Sequence, residues 1–236
     1  MERYNRAYGA AGTKAVTDIL HDFEKIVDKA QVVISKPINK VIELISNDNQ
    51  MLQTFYKEVS GNARLADNNS WDTSRQSVDS AINPNYVDKI HCAVLSVNNY
   101  GVSYYGKCQI KLKSSLIQNR TTFFEENPFI FFKKHRHITG EEVPAGYRST
   151  WANRSKLAVA KLHSKITKNT VASDFPKILI HDDGEESDFI EAHIYGSVHA
   201  KLFENITVVN PDVTEKVLLN AYKKKMSENG IQLTVE

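Results

Sequence analysis

The apolar residues of this chain change their period once, across a polar, turn-rich stretch at residues 60–85 that has no clear period of its own. Before it, Val16, Ile19, Leu20, Phe23, Ile26 and Val27 recur at helical spacing, and Val41, Ile42, Leu44, Ile45, Leu52, Phe55 and Tyr56 continue the stripe. The spacing predicts two or three helices, the first capped near Thr13, with breaks at Ser35-Lys36-Pro37 and at Ser46-Asn47-Asp48-Asn49. After it the texture becomes β. Residues 89–97 and 106–113 read as strands, and the second alternates Cys108, Ile110 and Leu112 with Lys107, Gln109, Lys111 and Lys113, so it should bury one face. Helices followed mostly by strands argue an α+β fold rather than alternating βαβ units.

The rest of the chain fits that class. Residues 121–132 hold two aromatic pieces divided by a Glu-Glu-Asn-Pro turn, and residues 149–166 read as a helix capped by Ser149 or Thr150. Short strands are expected at 177–180, 189–195 and 205–209, then a helix at 214–226 with Gly230 just past its end and an edge strand after it. The expected division is a helical N-terminal segment over residues 1–60 and one domain over 61–236. The polar stretch between them is a long loop of the kind that often carries function.

Composition narrows the classes further. With 41% hydrophobic and 25% charged residues the 236-residue chain is an ordinary globular protein, and its net charge of +2 selects no partner by itself. No apolar run reaches the roughly 20 residues of a membrane span, and the N-terminus has no apolar signal region. Synthesis in the cytoplasm without Sec export is therefore the expectation. The two cysteines, Cys92 and Cys108, suit buried strand thiols better than a disulfide framework.

The most informative stretch is DDGEESDFIEAHIYGS, residues 182–197. Six carboxylates fall between Asp182 and Glu191 with no Lys or Arg among them, and five of the six suit a solvated loop. Glu191 lies inside the strand pattern. In an extended segment Phe189, Glu191, His193 and Tyr195 share one side while Ile190, Ala192 and Ile194 form the apolar core side. The first side is either a wetted sheet surface or a cleft lined by an acid, an imidazole and a phenol.

IEAHIYGSVHAKLFENITVV resembles the third conserved block of the ADP-ribosyltransferase superfamily, in the variant of phage-head-associated and bacterial polymorphic-toxin members. Glu191 stands at the position of that family's catalytic glutamate, and Tyr195-Gly196 where His-Gly is common. Upstream, YYGKCQIKLK at 104–113 resembles the family's tyrosine-glycine strand and NRTTF at 119–123 the turn after it, so the resemblance covers roughly residues 88–211. It implies a split antiparallel β-sandwich holding NAD in a cleft and mono-ADP-ribosyl transfer by a bacterial or phage toxin or effector. Glu191 would orient the ribose and offset charge at the anomeric carbon, a group aimed at charge that develops in the transition state. Arg120, Thr121, Tyr105 and Gly106 are the implied NAD contacts. His91 is a candidate for the first NAD-binding motif, beside Arg64 and Arg75 in the long loop. The implied acceptor is a protein more than a nucleic acid, with a delivery or immunity partner possible and specialised secretion as the route.

The resemblance has departures, and other features have plainer readings. Where several subfamilies place Glu or Gln two residues before the catalytic glutamate, this chain has Phe189, so arginine as acceptor does not follow and an NAD glycohydrolase of the same fold is the alternative. Residues 133–168 hold nine bases against two acids, which allows a non-catalytic module docking a basic helix on an acidic partner, or a merely solvated helix face. PAGYRSTWANR at 144–154 is either an anion site, with Arg148 beside the helix start, or a simple cap. His135 and His137 lack companions at zinc spacing, so no metal is expected there. Cys108 with His163 could imitate a thiol nucleophile and its base, but a thiol in an alternating strand is poorly placed for activation.

Overall fold

The protein is described by a computed structural model over residues 1–60, 78–135, 143–184 and 187–236. Helices α1 (Glu2–Thr13) and α2 (Thr17–Val27) lead into strand β1 (Gln31–Lys36), followed by α3 (Ile38–Ser46), α4 (Phe55–Ser60) and a short helical turn at 78–82, α5. Then come β2 (Ile90–Ser96), β3 (Cys108–Leu112), α6 (Ser114–Ile117), β4 (Thr121–Phe124), α7 (Pro128–His135), β5 (Arg148–Thr150), α8 (Arg154–Leu162) and α9 (Phe175–Leu179). The chain closes with β6 (Glu191–Tyr195), β7 (Phe203–Val208), α10 (Val213–Glu228) and β8 (Gln232–Val235).

The strands form one eight-stranded sheet in the order β5-β4-β6-β2-β1-β3-β7-β8, antiparallel except where β8 joins β7 in parallel. Mixed α/β architecture is as expected. Among the described residues, however, the strands lie in one continuous sheet instead of the two facing sheets of a split sandwich. The N-terminal stretch is also not purely helical. β1 sits between β2 and β3 with Val32, Val33 and Ile34 all buried, because a central strand covered on both faces reads as an unbroken apolar run and loses its alternation.

One face of the sheet carries the main core. Val32, Ile34, Ala93, Leu95, Ile110, Leu112, Ile190, Ala192 and Ile194 pack there against Ala7 of α1, Leu20 and Phe23 of α2, Val41 of α3, Leu157 of α8 and Met226 of α10. The opposite face holds two smaller clusters, Val33 with Val94, Val102 and Phe189, and Ile82 with Phe124 and Phe131. Gln109, expected on a wetted face, is buried because the chain at Gly101–Gly106 folds over β3. Its Oε1 accepts from the Gly101 amide at 2.8 Å and Ser35 Oγ at 2.7 Å, and its Nε2 donates to the Gly106 carbonyl at 2.9 Å.

Two local expectations are corrected, and one aromatic stretch is assigned its element. Residues 177–180 lie mostly in α9, because Pro176 in the first turn suits a helix start and the short apolar run packs one helical face onto the core. The second aromatic piece, from Pro128, is α7, with Phe131 turned inward. Ser149 and Thr150 do not cap a helix but pair in β5 with Phe123 and Thr122, and α8 begins at Arg154.

Candidate functional site

Glu191 opens β6 and lies 2% exposed beside β2 on one side and β4 on the other, opposite Val94 and Phe124. His193, two residues on, faces the same way opposite Cys92 and Thr122. The shared side of Phe189, Glu191 and His193 is therefore a covered face and not a wetted one. Above it lies a cavity of about 670 Å³, bordered by Glu191, His193, Cys92 and Phe189 below, by Phe55, Tyr56, Tyr104 and Tyr105 around its walls, and by Lys36 and Lys40. The covering elements are themselves tied down, with Tyr56 donating to Asp79 Oδ2 at 2.6 Å and Thr54 Oγ1 to the Asp88 carbonyl at 2.9 Å.

A chain of hydrogen bonds fixes the state of the buried pair. Arg148 Nη2 donates to Asn83 Oδ1 at 2.7 Å, so the Asn83 amide must turn its NH₂ toward His193, where Nδ2 meets Nδ1 at 3.3 Å. A nitrogen that accepts there leaves the proton of a neutral imidazole on Nε2, and Nε2 donates it to Glu191 Oε1 at 2.9 Å. His193 is 2% exposed and stacks on the Phe124 ring at 6.1 Å, 14° from parallel. Glu191 is thus held by a donor on its own strand.

The candidates taken from the sequence separate into two groups. Glu191, His91 and Tyr105 border the cavity, and Arg148 reaches its floor through Asn83. Burial, then the charges of Lys36, Arg120 and Lys57, bring the His91 pKa down to about 4, which leaves it a neutral imidazole at pH 7. Arg120 and Thr121 are engaged with backbone instead. Arg120 Nη1 donates to the Tyr195 carbonyl and Nη2 to the Ser197 carbonyl at 3.0 Å, closing the end of β6, while Thr121 Oγ1 donates to the Ile117 carbonyl at 2.8 Å. Gly106 has φ +141°, and a Cβ there would sit 2.2 Å from the Lys36 carbonyl carbon, so its glycine is required by close packing against β1.

Other motifs resolve more simply. Cys108 is buried and its pKa is pushed up to about 12, chiefly by desolvation and then by Glu215, so it is a thiol. His163 Nδ1 contacts the Ala160 carbonyl at 3.2 Å. His135 packs on Phe131 and Tyr147, whereas His137, like Arg64, Arg75, Glu185 and Glu186, lies outside the described residues. Part of the basic excess is consumed internally: Lys161 and Lys165 both bond Asp188, at 2.5 and 2.9 Å.

Two participants escaped the sequence reading, Asn83 and Cys92. Cys92 Sγ, a Glu191 carboxylate oxygen and a His193 ring nitrogen lie within 4.8 Å of one another. Cys92 was accessible in principle, because pairing the strand at 89–97 antiparallel to the one at 189–195 sets KIHC against HIY. Asn83 had no such signal, being placed by the turn that enters the sheet. No family model matches the chain, and no curated protein sequence matches it.

Proposed function

We propose that this cavity binds NAD and that Glu191 assists cleavage of its nicotinamide–ribose bond, with transfer of ADP-ribose to a macromolecular acceptor. The observation that carries the reading is the placement of Glu191, a buried carboxylate on the floor of a cavity walled by Phe55, Tyr56, Tyr104 and Tyr105. Aromatic walls suit the flat nicotinamide and adenine rings, and Lys36 and Lys40 suit a pyrophosphate. The resemblance of the 190–209 stretch to the third block of the ADP-ribosyltransferase superfamily points to the same residue.

In this reading the C1′–N bond breaks with its electron pair leaving on nicotinamide, and positive charge develops on the ribose. Glu191 accepts a hydrogen bond from a ribose hydroxyl and stabilises that charge, while His193 Nε2–H, set by Asn83 and Arg148, keeps the carboxylate oriented. The acceptor then adds to the anomeric carbon and loses a proton to solvent.

Hydrolysis is the second reading, and Phe189 favours it. It is 3% exposed and packed with Val33, Val94 and Val102, so the position two residues before Glu191 offers no polar group to select an acceptor. NAD labelled in its adenosine half, incubated with the protein and a cell lysate, separates the two. Label on a macromolecule supports transfer and free labelled ADP-ribose supports hydrolysis; NAD that stays intact overturns both.

A further inference from the structure

Cys92, Glu191 and His193 bring a thiol, a carboxylate and an imidazole together from two adjacent strands, with Cys92 directly opposite His193 in register. We propose that these three residues form a zinc site whose fourth position opens into the cavity. The proposal does not depend on NAD chemistry. It rests on the donor set and its spacing.

Zinc takes sulfur, nitrogen and oxygen ligands at about 2.0–2.3 Å, which puts donors of a tetrahedral site about 3.3–3.6 Å apart. The 2.9 Å contact between His193 Nε2 and Glu191 Oε1 must open by roughly 0.4 Å, and the other separations, within 4.8 Å, must close by about 1.2 Å at most. Strand side chains accommodate such shifts by rotation about χ angles. A thiolate excludes calcium and magnesium, which take oxygen ligands, and three protein ligands with an open position is the arrangement of catalytic zinc. The charges also match, since one thiolate and one carboxylate neutralise the dication where Glu191 and His193 are each 2% exposed.

Zinc entry requires definite proton movements. The Cys92 thiol releases its proton to solvent, and the His193 proton moves from Nε2 to Nδ1 so that Nε2 can coordinate. Nδ1–H then faces the Asn83 NH₂ group, donor against donor, until the amide turns over and Arg148 releases Oδ1. Asn83 therefore opposes the metal-bound state. A carboxylate at that position would instead accept from Nδ1–H and keep Arg148, the outer arrangement that typically changes metal affinity 10- to 100-fold.

The prediction has opposite signs at neighbouring residues. Equilibrium dialysis of the full chain against micromolar zinc should give one bound ion. Cys92→Ser, Glu191→Gln and His193→Gln should each weaken binding at least about 10-fold, and Asn83→Asp should tighten it by about 10-fold or more. Cobalt gives a second readout, a thiolate-to-metal charge-transfer band present in the unmodified protein and absent in Cys92→Ser. Circular dichroism shows that each variant remains folded. Stoichiometric zinc binding that survives Cys92→Ser overturns the proposal, as does no binding to the unmodified chain or an Asn83→Asp protein that binds more weakly. Loss of NAD cleavage on adding zinc is a separate measurement that rests on the proposed function, so failure of one reading is told apart from failure of the other.

Discussion

The segment that delivers Glu191 is anchored by an ion pair whose two halves are not equivalent, and that asymmetry predicts the cost of breaking it. Lys161 Nζ of α8 bonds Asp188 Oδ1 at 2.5 Å and the Phe189 carbonyl at 2.9 Å, three and two residues before the catalytic candidate. The Lys161 side chain is 8% exposed and that of Asp188 25%, and Asp188 has a second partner in Lys165. Burial depresses the Lys161 pKa and Asp188 offsets this only in part, whereas the Asp188 pKa falls despite its own desolvation, because Lys161 and then Lys165 favour the ionised form. The ammonium is thus the poorly solvated member. Asp188→Asn strands a buried cation and should cost about 3 kcal/mol, the low end for breaking a buried pair because the amide keeps one acceptor. Lys161→Met removes the buried charge and leaves Asp188 with Lys165 and water. Its main cost is the Phe189 carbonyl losing its donor, about 1 kcal/mol. In a chain of this length those costs correspond to falls in Tm of about 6–12 °C and about 2–4 °C. The double variant should be about 2 kcal/mol more stable than the sum of the singles predicts, because no stranded charge remains. Urea unfolding at pH 7 measures all four proteins. As a carboxylate with a depressed folded pKa, Asp188 contributes stability above its unfolded pKa near 3.8 and loses it as pH falls through the folded value, so the penalty of Asp188→Asn should shrink in acid. A Lys161→Met protein as unstable as Asp188→Asn would refute the reasoning.

Other consequences follow from the same structure. Gly106→Ala forces a side chain into a left-handed backbone position against the Lys36 carbonyl and should lower stability by at least about 2 kcal/mol, or prevent folding, as read by chemical denaturation. His91 is neutral in the fold with its pKa near 4, so the folded state resists a proton that the unfolded chain accepts near 6.5. Its stabilising contribution is present above pH 6.5 and lost on acidification to pH 4, by up to roughly 3 kcal/mol, and His91→Gln should flatten that part of the pH–stability curve.

How far the sequence reached depends on which periods survive burial. The stripes of α2 and α3 were legible because each helix buries one face, and the alternation around Glu191 because Glu191 and His193 border the cavity while Ile190, Ala192 and Ile194 face the main core. β1 was not, since Val32, Val33 and Ile34 are covered on both sides and helical patterns flank them. Aromatic runs carried no clear period, and FIFF at 129–132 lies in α7. The acid in β6 announced itself, whereas its surroundings did not. Asn83 and Cys92 reach Glu191 and His193 only through sheet register and the turn before β2, and nothing in the sequence announced that the Arg120 guanidinium bonds the carbonyls of Tyr195 and Ser197.

The central claim is that Glu191 acts on bound NAD, and Glu191→Gln tests it with little disturbance, because the amide keeps an oxygen that can accept from His193 Nε2. The decisive measurement is the rate of nicotinamide release from NAD by the unmodified and Glu191→Gln proteins, both confirmed folded by thermal unfolding. Removing an oriented charge of this kind should slow release about 10²- to 10³-fold with Tm shifted by only a few degrees. Equal rates in the two proteins, or no release by the unmodified protein, would contradict the account.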